Sequence, residues 1–112
     1  MGEPEPISPE GDQGKDAAEE GLRPLFALGQ IVGTPGALDA LTAAEQHPLE
    51  LIVRHVTGDW GVLPEADREA NDKAVEQGHR VFSSYRLNTG EKIWLITEWD
   101  RSVTTLLLPV EY

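Results

Sequence analysis

A chain of 112 residues with nine Lys and Arg against twenty Asp and Glu carries a formal charge of −11 and a pI near 4.5. At about 100–150 residues per domain that is one domain around one core, too short for a cofactor domain joined to a substrate domain. Such acidity argues against non-specific DNA binding and anionic membranes, which need Lys and Arg against phosphate. No apolar run nears the roughly 20 residues of a membrane helix, and no apolar segment follows a basic start. The absence of cysteine removes disulfides and thiolate zinc sites and fits a reducing cytosol.

The acids are unevenly placed. Residues 1–20 hold seven (Glu3, Glu5, Glu10, Asp12, Asp16, Glu19 and Glu20) against Lys15 alone, leaving a net −5 for residues 21–112. With Pro4, Pro6 and Pro9 among them and few apolar side chains, they bury too little to offset their ordering entropy. Residues 1–22 are therefore expected to be a disordered acidic tail and residues 23–112 a single α+β domain.

Leu25 to Val32 is apolar but interrupted by Gly29, which predicts an extended edge segment. Thr34-Pro35 supplies an N-cap hydroxyl and a proline at the first helical position, so a helix is expected from Pro35 to about Gln46, with Leu38 and Leu41 on one side. His47-Pro48 opens a second helix. Leu49, Ile52, Val53 and Val56 fall at i, i+3, i+4 and i+7 as one buried stripe, with Glu50 and Arg54 paired outside. Gly58 ends it. A third helix follows Pro64, with Glu65 and Asp67 in its acid-favouring first turn, a thin face of Ala66, Ala70 and Ala74, and a stop at Gly78.

Beyond Gly78 the period becomes extended. Val81–Leu87, Lys92–Trp99 and Val103–Leu108 are rich in β-branched and aromatic residues. Asn88-Thr89-Gly90 suits a three-residue hairpin with glycine in the left-handed position, and Asp100-Arg101-Ser102 makes the second reversal. The fold expected is α+β: three helices followed by a three- to four-stranded antiparallel β-meander packed on them. Along the central strand Trp94 and Ile96 alternate with Ile93, Leu95, Thr97 and Trp99, so both sheet faces are apolar. One should pack on the helices and the other be partly covered or form a contact surface.

Motifs of known chemistry are sparse. Gly29, Gly33 and Gly36 match neither a dinucleotide fingerprint nor a phosphate loop, His47, His55 and His79 are not spaced as metal ligands, and Ser83-Ser84 lack a nucleophile elbow. No metal or cofactor is expected. A carboxylate, an imidazole and arginines on a sheet are the equipment of a metal-independent ribonuclease. Glu98 would be the base, His79 the acid, and Arg86 or Arg101 the phosphate clamp, in a layout similar to barnase and RelE. The favoured alternative is partner binding through the sheet near Tyr85, Trp99, Arg101 and Thr104, with Trp60 as a further anchor. A third reading has the acidic tail occupy a DNA-binding groove by mimicry.

From Leu25 onward the chain resembles a family of small bacterial proteins described as plasmid-related or hypothetical, some as type I restriction accessory subunits. The residues that carry the resemblance are Leu28-Gly29-Gln30-Ile31-Val32-Gly33-Thr34-Pro35-Gly36-Ala37-Leu38, Gly58-Asp59-Trp60-Gly61 and Ser83-Ser84-Tyr85. They continue through Ile93 to Ser102, Thr104-Thr105 and Leu107-Leu108-Pro109. The resemblance implies a bacterial mobile-element setting. The function expected within it is that of a cytosolic accessory protein, monomeric or homodimeric, with a protein or an RNA as partner.

Overall fold

A computed structural model describes residues 23–112, and the expected acidic tail lies outside them. The order is β1 (Gln30–Gly33), α1 (Pro35–Ala44), α2 (Pro48–Val56), α3 (Glu65–Gln77), β2 (Val81–Arg86), β3 (Lys92–Thr97), β4 (Val103–Leu107) and a closing 3-10 turn, Pro109–Glu111. No helix among the described residues is long and apolar enough to cross a membrane.

Local signals set the helix boundaries. The Thr34 hydroxyl accepts from the Ala37 N–H at 3.0 Å, and Pro35 occupies the first turn of α1. The inward face of α1 is Ala37, Ala40, Leu41 and Ala44, whereas Leu38, expected beside Leu41, is exposed. His47 caps α2, its Nδ1 accepting from the Leu49 N–H at 3.0 Å. The buried stripe of α2 is turned from the one expected: Leu51, Ile52, His55 and Val56 are buried, while Leu49 and Val53 are half-buried. The pairing of Arg54 also differs, because Asp59 reaches its Nε at 2.7 Å and Glu50 instead accepts from Gln46. In α3 only Asn71 and Ala74 are buried, and Ala66 and Ala70 stay exposed.

The meander is present: β2–β3 and β3–β4 are antiparallel, with Val81 opposite Thr97 and Thr97 opposite Thr104. Gly90 takes the left-handed conformation the first hairpin requires. The sheet as a whole is mixed, however, because β1 joins β4 in parallel, giving the order β1-β4-β3-β2. Parallel neighbours need a long crossover, and here the connection contains all three helices and the first hairpin. Helices α1 and α2 cover one face, around Leu41, Leu51, Ile52, Tyr85, Ile93, Leu95 and Leu106. A second cluster of Trp60, Leu63, Ala74 and Val81 fills the space beside β2.

The outer edge of β2 is closed by two devices. The Asn71 carboxamide donates to the Phe82 carbonyl at 2.6 Å and accepts from the Phe82 N–H at 3.1 Å, doing for that residue what a neighbouring strand would do. Further along, Val62 N–H donates to Ser84 C=O and Ser84 N–H to Trp60 C=O. An unpaired edge is a template for association, so both contacts protect as well as stabilise. Asn71→Ala is expected to lower stability by about 1–3 kcal/mol, the cost of orphaning two backbone groups, as read by urea unfolding.

Candidate open-face binding site

Strand alternation and the register divide the sheet into two sets of side chains. Val81, Ser83, Tyr85, Ile93, Leu95, Thr97, Thr104 and Leu106 face the helices and are all buried. Phe82, Ser84 and Arg86 of β2, Lys92, Trp94 and Ile96 of β3, and Thr105 and Leu107 of β4 share the other face. Among the described residues no α-helix lies across it; Ser84, Ile96 and Leu107 are nevertheless buried, Phe82, Trp94 and Thr105 are half-buried, and Arg86 and Lys92 are exposed.

Its centre is aromatic. The Trp94 ring meets Phe82 edge-on, at 4.9 Å between centroids and 87° between planes, and Tyr112 at 5.7 Å and 66°. With Ile96 and Arg80 these three rings line a concavity of about 320 Å³. Arg80 forms its rim. Its guanidinium donates to the Tyr112 hydroxyl at 2.9 Å and lies 3.5 Å from the Glu98 carboxylate, both of which hold its pKa up. The 3-10 turn brings Tyr112 to this position. It is fastened by Glu111, whose carboxylate accepts from the Thr34 hydroxyl at the start of α1 and from the Leu108 N–H at the start of the turn itself; these bonds keep the Glu111 pKa low.

Several residues expected at a partner surface lie elsewhere. Tyr85 is 1% exposed and faces the helices, its hydroxyl donating to the Asp59 carbonyl at 2.7 Å, and burial pushes its pKa up. Trp60 is 3% exposed, stacked on Phe26, with its indole N–H donated to Asp72. Thr104 is wholly buried. Trp99, 66% exposed, is on the surface but in the β3–β4 turn rather than on the sheet.

The proposed ribonuclease residues do not converge as a set. Arg86 stands opposite Lys92 at one end of the hairpin, while Glu98 follows Thr97 at the other, about 20 Å away along the strands. Arg101 is a structural clasp. Its guanidinium donates to the carbonyls of His79 (2.7 Å), Glu98 (3.2 Å) and Ala74 (3.1 Å), and it lies over the Phe26 ring. These bonds hold Arg101 in a left-handed conformation, φ 58°, which an ordinary side chain disfavours. His79 and Glu98 thus meet Arg101 through backbone oxygens rather than as a catalytic triplet. Among the described residues no group of three His, Cys, Asp or Glu is placed to hold a metal.

One chemically suggestive constellation is internal. His55, fully buried, has Nδ1 2.6 Å from Ser83 Oγ and Nε2 2.9 Å from Thr97 Oγ1; Thr97 in turn lies 2.7 Å from Thr104, which donates to the Leu28 carbonyl. A carbonyl can only accept, so the direction of the whole chain is determined. Thr104 donates to Leu28, Thr97 to Thr104, His55 Nε2–H to Thr97, and Ser83 to Nδ1. Burial, with a smaller repulsion from Arg101, pushes His55 down to about 3, so it is neutral at neutral pH. Ser83 is 0% exposed, out of reach of any substrate. The network organises the core.

Neither a protein family model, nor a curated protein, nor a solved structure matches the chain. The open face itself was only half legible in the sequence. The alternation of Trp94 and Ile96 announced a second apolar face, but Arg80, Phe82 and Tyr112 come from separate elements that only the strand register and the closing turn bring together.

Proposed function

We propose that this chain is a binding protein that holds a macromolecular partner against the open face of its sheet, in the mobile-element setting implied by the resemblance. The observation that carries this reading is the concavity framed by Phe82, Trp94 and Tyr112 with Arg80 at its rim. Trp, Tyr and Arg concentrate binding energy because each offers much contact area with a polar handle. Ribonuclease catalysis has less support, since Arg86 is remote from Glu98 and the Arg101 guanidinium is committed to three carbonyls. Acidic mimicry depends on residues outside those described.

The test is capture from bacterial lysate with both protein and nucleic acid analysed, using wild type, Trp94→Ala and Trp99→Ala. The expected result is a partner held by wild type and Trp99→Ala and lost by Trp94→Ala. A captured set that is unchanged by Trp94→Ala refutes the reading.

A further inference from the structure

We propose that the partner of this face is single-stranded nucleic acid, with an unpaired base seated among Phe82, Trp94 and Tyr112 and the flanking phosphates held by Arg80, Arg86 and Lys92. This inference rests on the open face being the binding surface and names the chemistry it suits.

The distribution of charge favours this ligand. From Arg23 onward there are eight Lys and Arg and thirteen Asp and Glu. Strand alternation puts three of those cations, Arg80, Arg86 and Lys92, on the open face with one strand acid, Glu98, which pairs with Arg80 at 3.5 Å; the closing turn adds Glu111, whose carboxylate is held by Thr34 and the Leu108 N–H. A body with an excess of acids thus presents one face with an excess of cations. The cations also bracket the rings: Arg80 stands beside Phe82, and Arg86 with Lys92 lies about 13 Å further along the same hairpin face. A strand laid across the rings would meet positive charge on both sides.

The shape of the centre favours it as well. The ring planes stand 87° and 66° apart and wall a hollow of about 320 Å³. A planar group stacked on one ring therefore meets the edge of the next, which suits a base inserted singly. Duplex hides the faces of its bases, so a stacking site selects unpaired ones. Arg80 is half-exposed on the rim, and its Nη2 makes no hydrogen bond among the described residues.

The overall charge of −11 opposes approach from a distance. It does not govern the bound state, because at physiological salt charges beyond about 8 Å are largely screened and the face's own cations are the nearest. An acidic protein segment would satisfy the cations but leave the rings without a flat partner.

The experiment is fluorescence anisotropy with the full chain and a labelled RNA of about twelve nucleotides, within the span of one such binding face. The comparisons are the same RNA annealed to its complement and a labelled glutamate-rich peptide. The single strand is expected to bind at least about tenfold more tightly than the duplex, with a log–log salt slope of about −2 from three cations. Trp94→Ala should weaken it about tenfold, with Trp94→Phe restoring most of the loss. The double variant Arg86→Glu, Lys92→Glu, whose sites are exposed and outside the core, should weaken it and flatten the slope. Three results overturn the proposal: no saturable binding of the single strand, equal binding of the duplex, or binding indifferent to the Arg86, Lys92 variant. Tighter binding of the peptide would instead assign the face to an acidic protein. If the RNA fails while lysate capture still depends on Trp94, only the nucleic-acid assignment falls; if capture fails too, the open-face reading falls with it.

Discussion

Acidifying the protein from pH 6.5 toward 3 is expected to cost about 1.4 kcal/mol of stability per pH unit through His55 alone. The unfolded imidazole takes up a proton near 6.5, whereas burial beside Ser83 and Thr97, with Arg101 adding repulsion, delays protonation in the fold to about 3. Between those values the unfolded state binds more protons, so stability falls as pH falls. Above 6.5 both states are neutral and the contribution is complete. Urea unfolding of wild type and His55→Ala across this range isolates the effect, because the carboxylates titrate in both. The variant should be about 3–5 kcal/mol less stable at neutral pH, from the cavity and the Ser83 hydroxyl left without its acceptor. It should also show a shallower acid slope. Equal slopes would mean that His55 is not held neutral.

Gly61→Ala is expected to cost about 3 kcal/mol or more, or to prevent folding. Gly61 has φ +81°, and a Cβ there would lie 1.9 Å from the Ser84 carbonyl oxygen and 2.8 Å from the Tyr85 ring. That close approach is what lets Trp60 and Val62 close the edge of β2. Gly78→Ala is the control. Its φ of +75° carries the same backbone strain, but nothing lies within 4 Å of the added atom, so the loss should be about 1–2 kcal/mol. Similar losses at both sites would contradict the packing argument.

These two sites also show which features the sequence disclosed. Elements fixed by local chemistry were legible: the Thr34-Pro35 helix start, the Gly78 stop, the Gly90 hairpin and the β2–β3–β4 meander. Facing was not. Both alternating sets on β3 are apolar, so nothing in the strand itself says that Ile93 and Leu95 go inward and Trp94 outward. Ser83, Thr97 and Thr104 are polar strand residues with no partner evident in the sequence, yet His55 on α2 and the Leu28 carbonyl satisfy them inside the core. That same His55 turned the buried stripe of α2 away from the one its apolar residues suggested. The pairing of β1 with β4 joins residues more than seventy positions apart and leaves no local trace. The stretch Gly58-Asp59-Trp60-Gly61, one of those behind the family resemblance, is explained by packing. Asp59 receives Arg54, Trp60 fills the cluster beside β2, and Gly61 permits the contact with Ser84.

Tryptophan oxidation with and without the captured partner tests the open-face reading most directly, because the three tryptophans occupy three distinct environments. In the free protein Trp99 should react first, half-buried Trp94 more slowly, and Trp60 only on unfolding. With the partner bound, the account predicts that Trp94 becomes protected while Trp99 keeps its rate. Protection of Trp99 with Trp94 oxidised at its free rate would place the partner on the β3–β4 turn and contradict it.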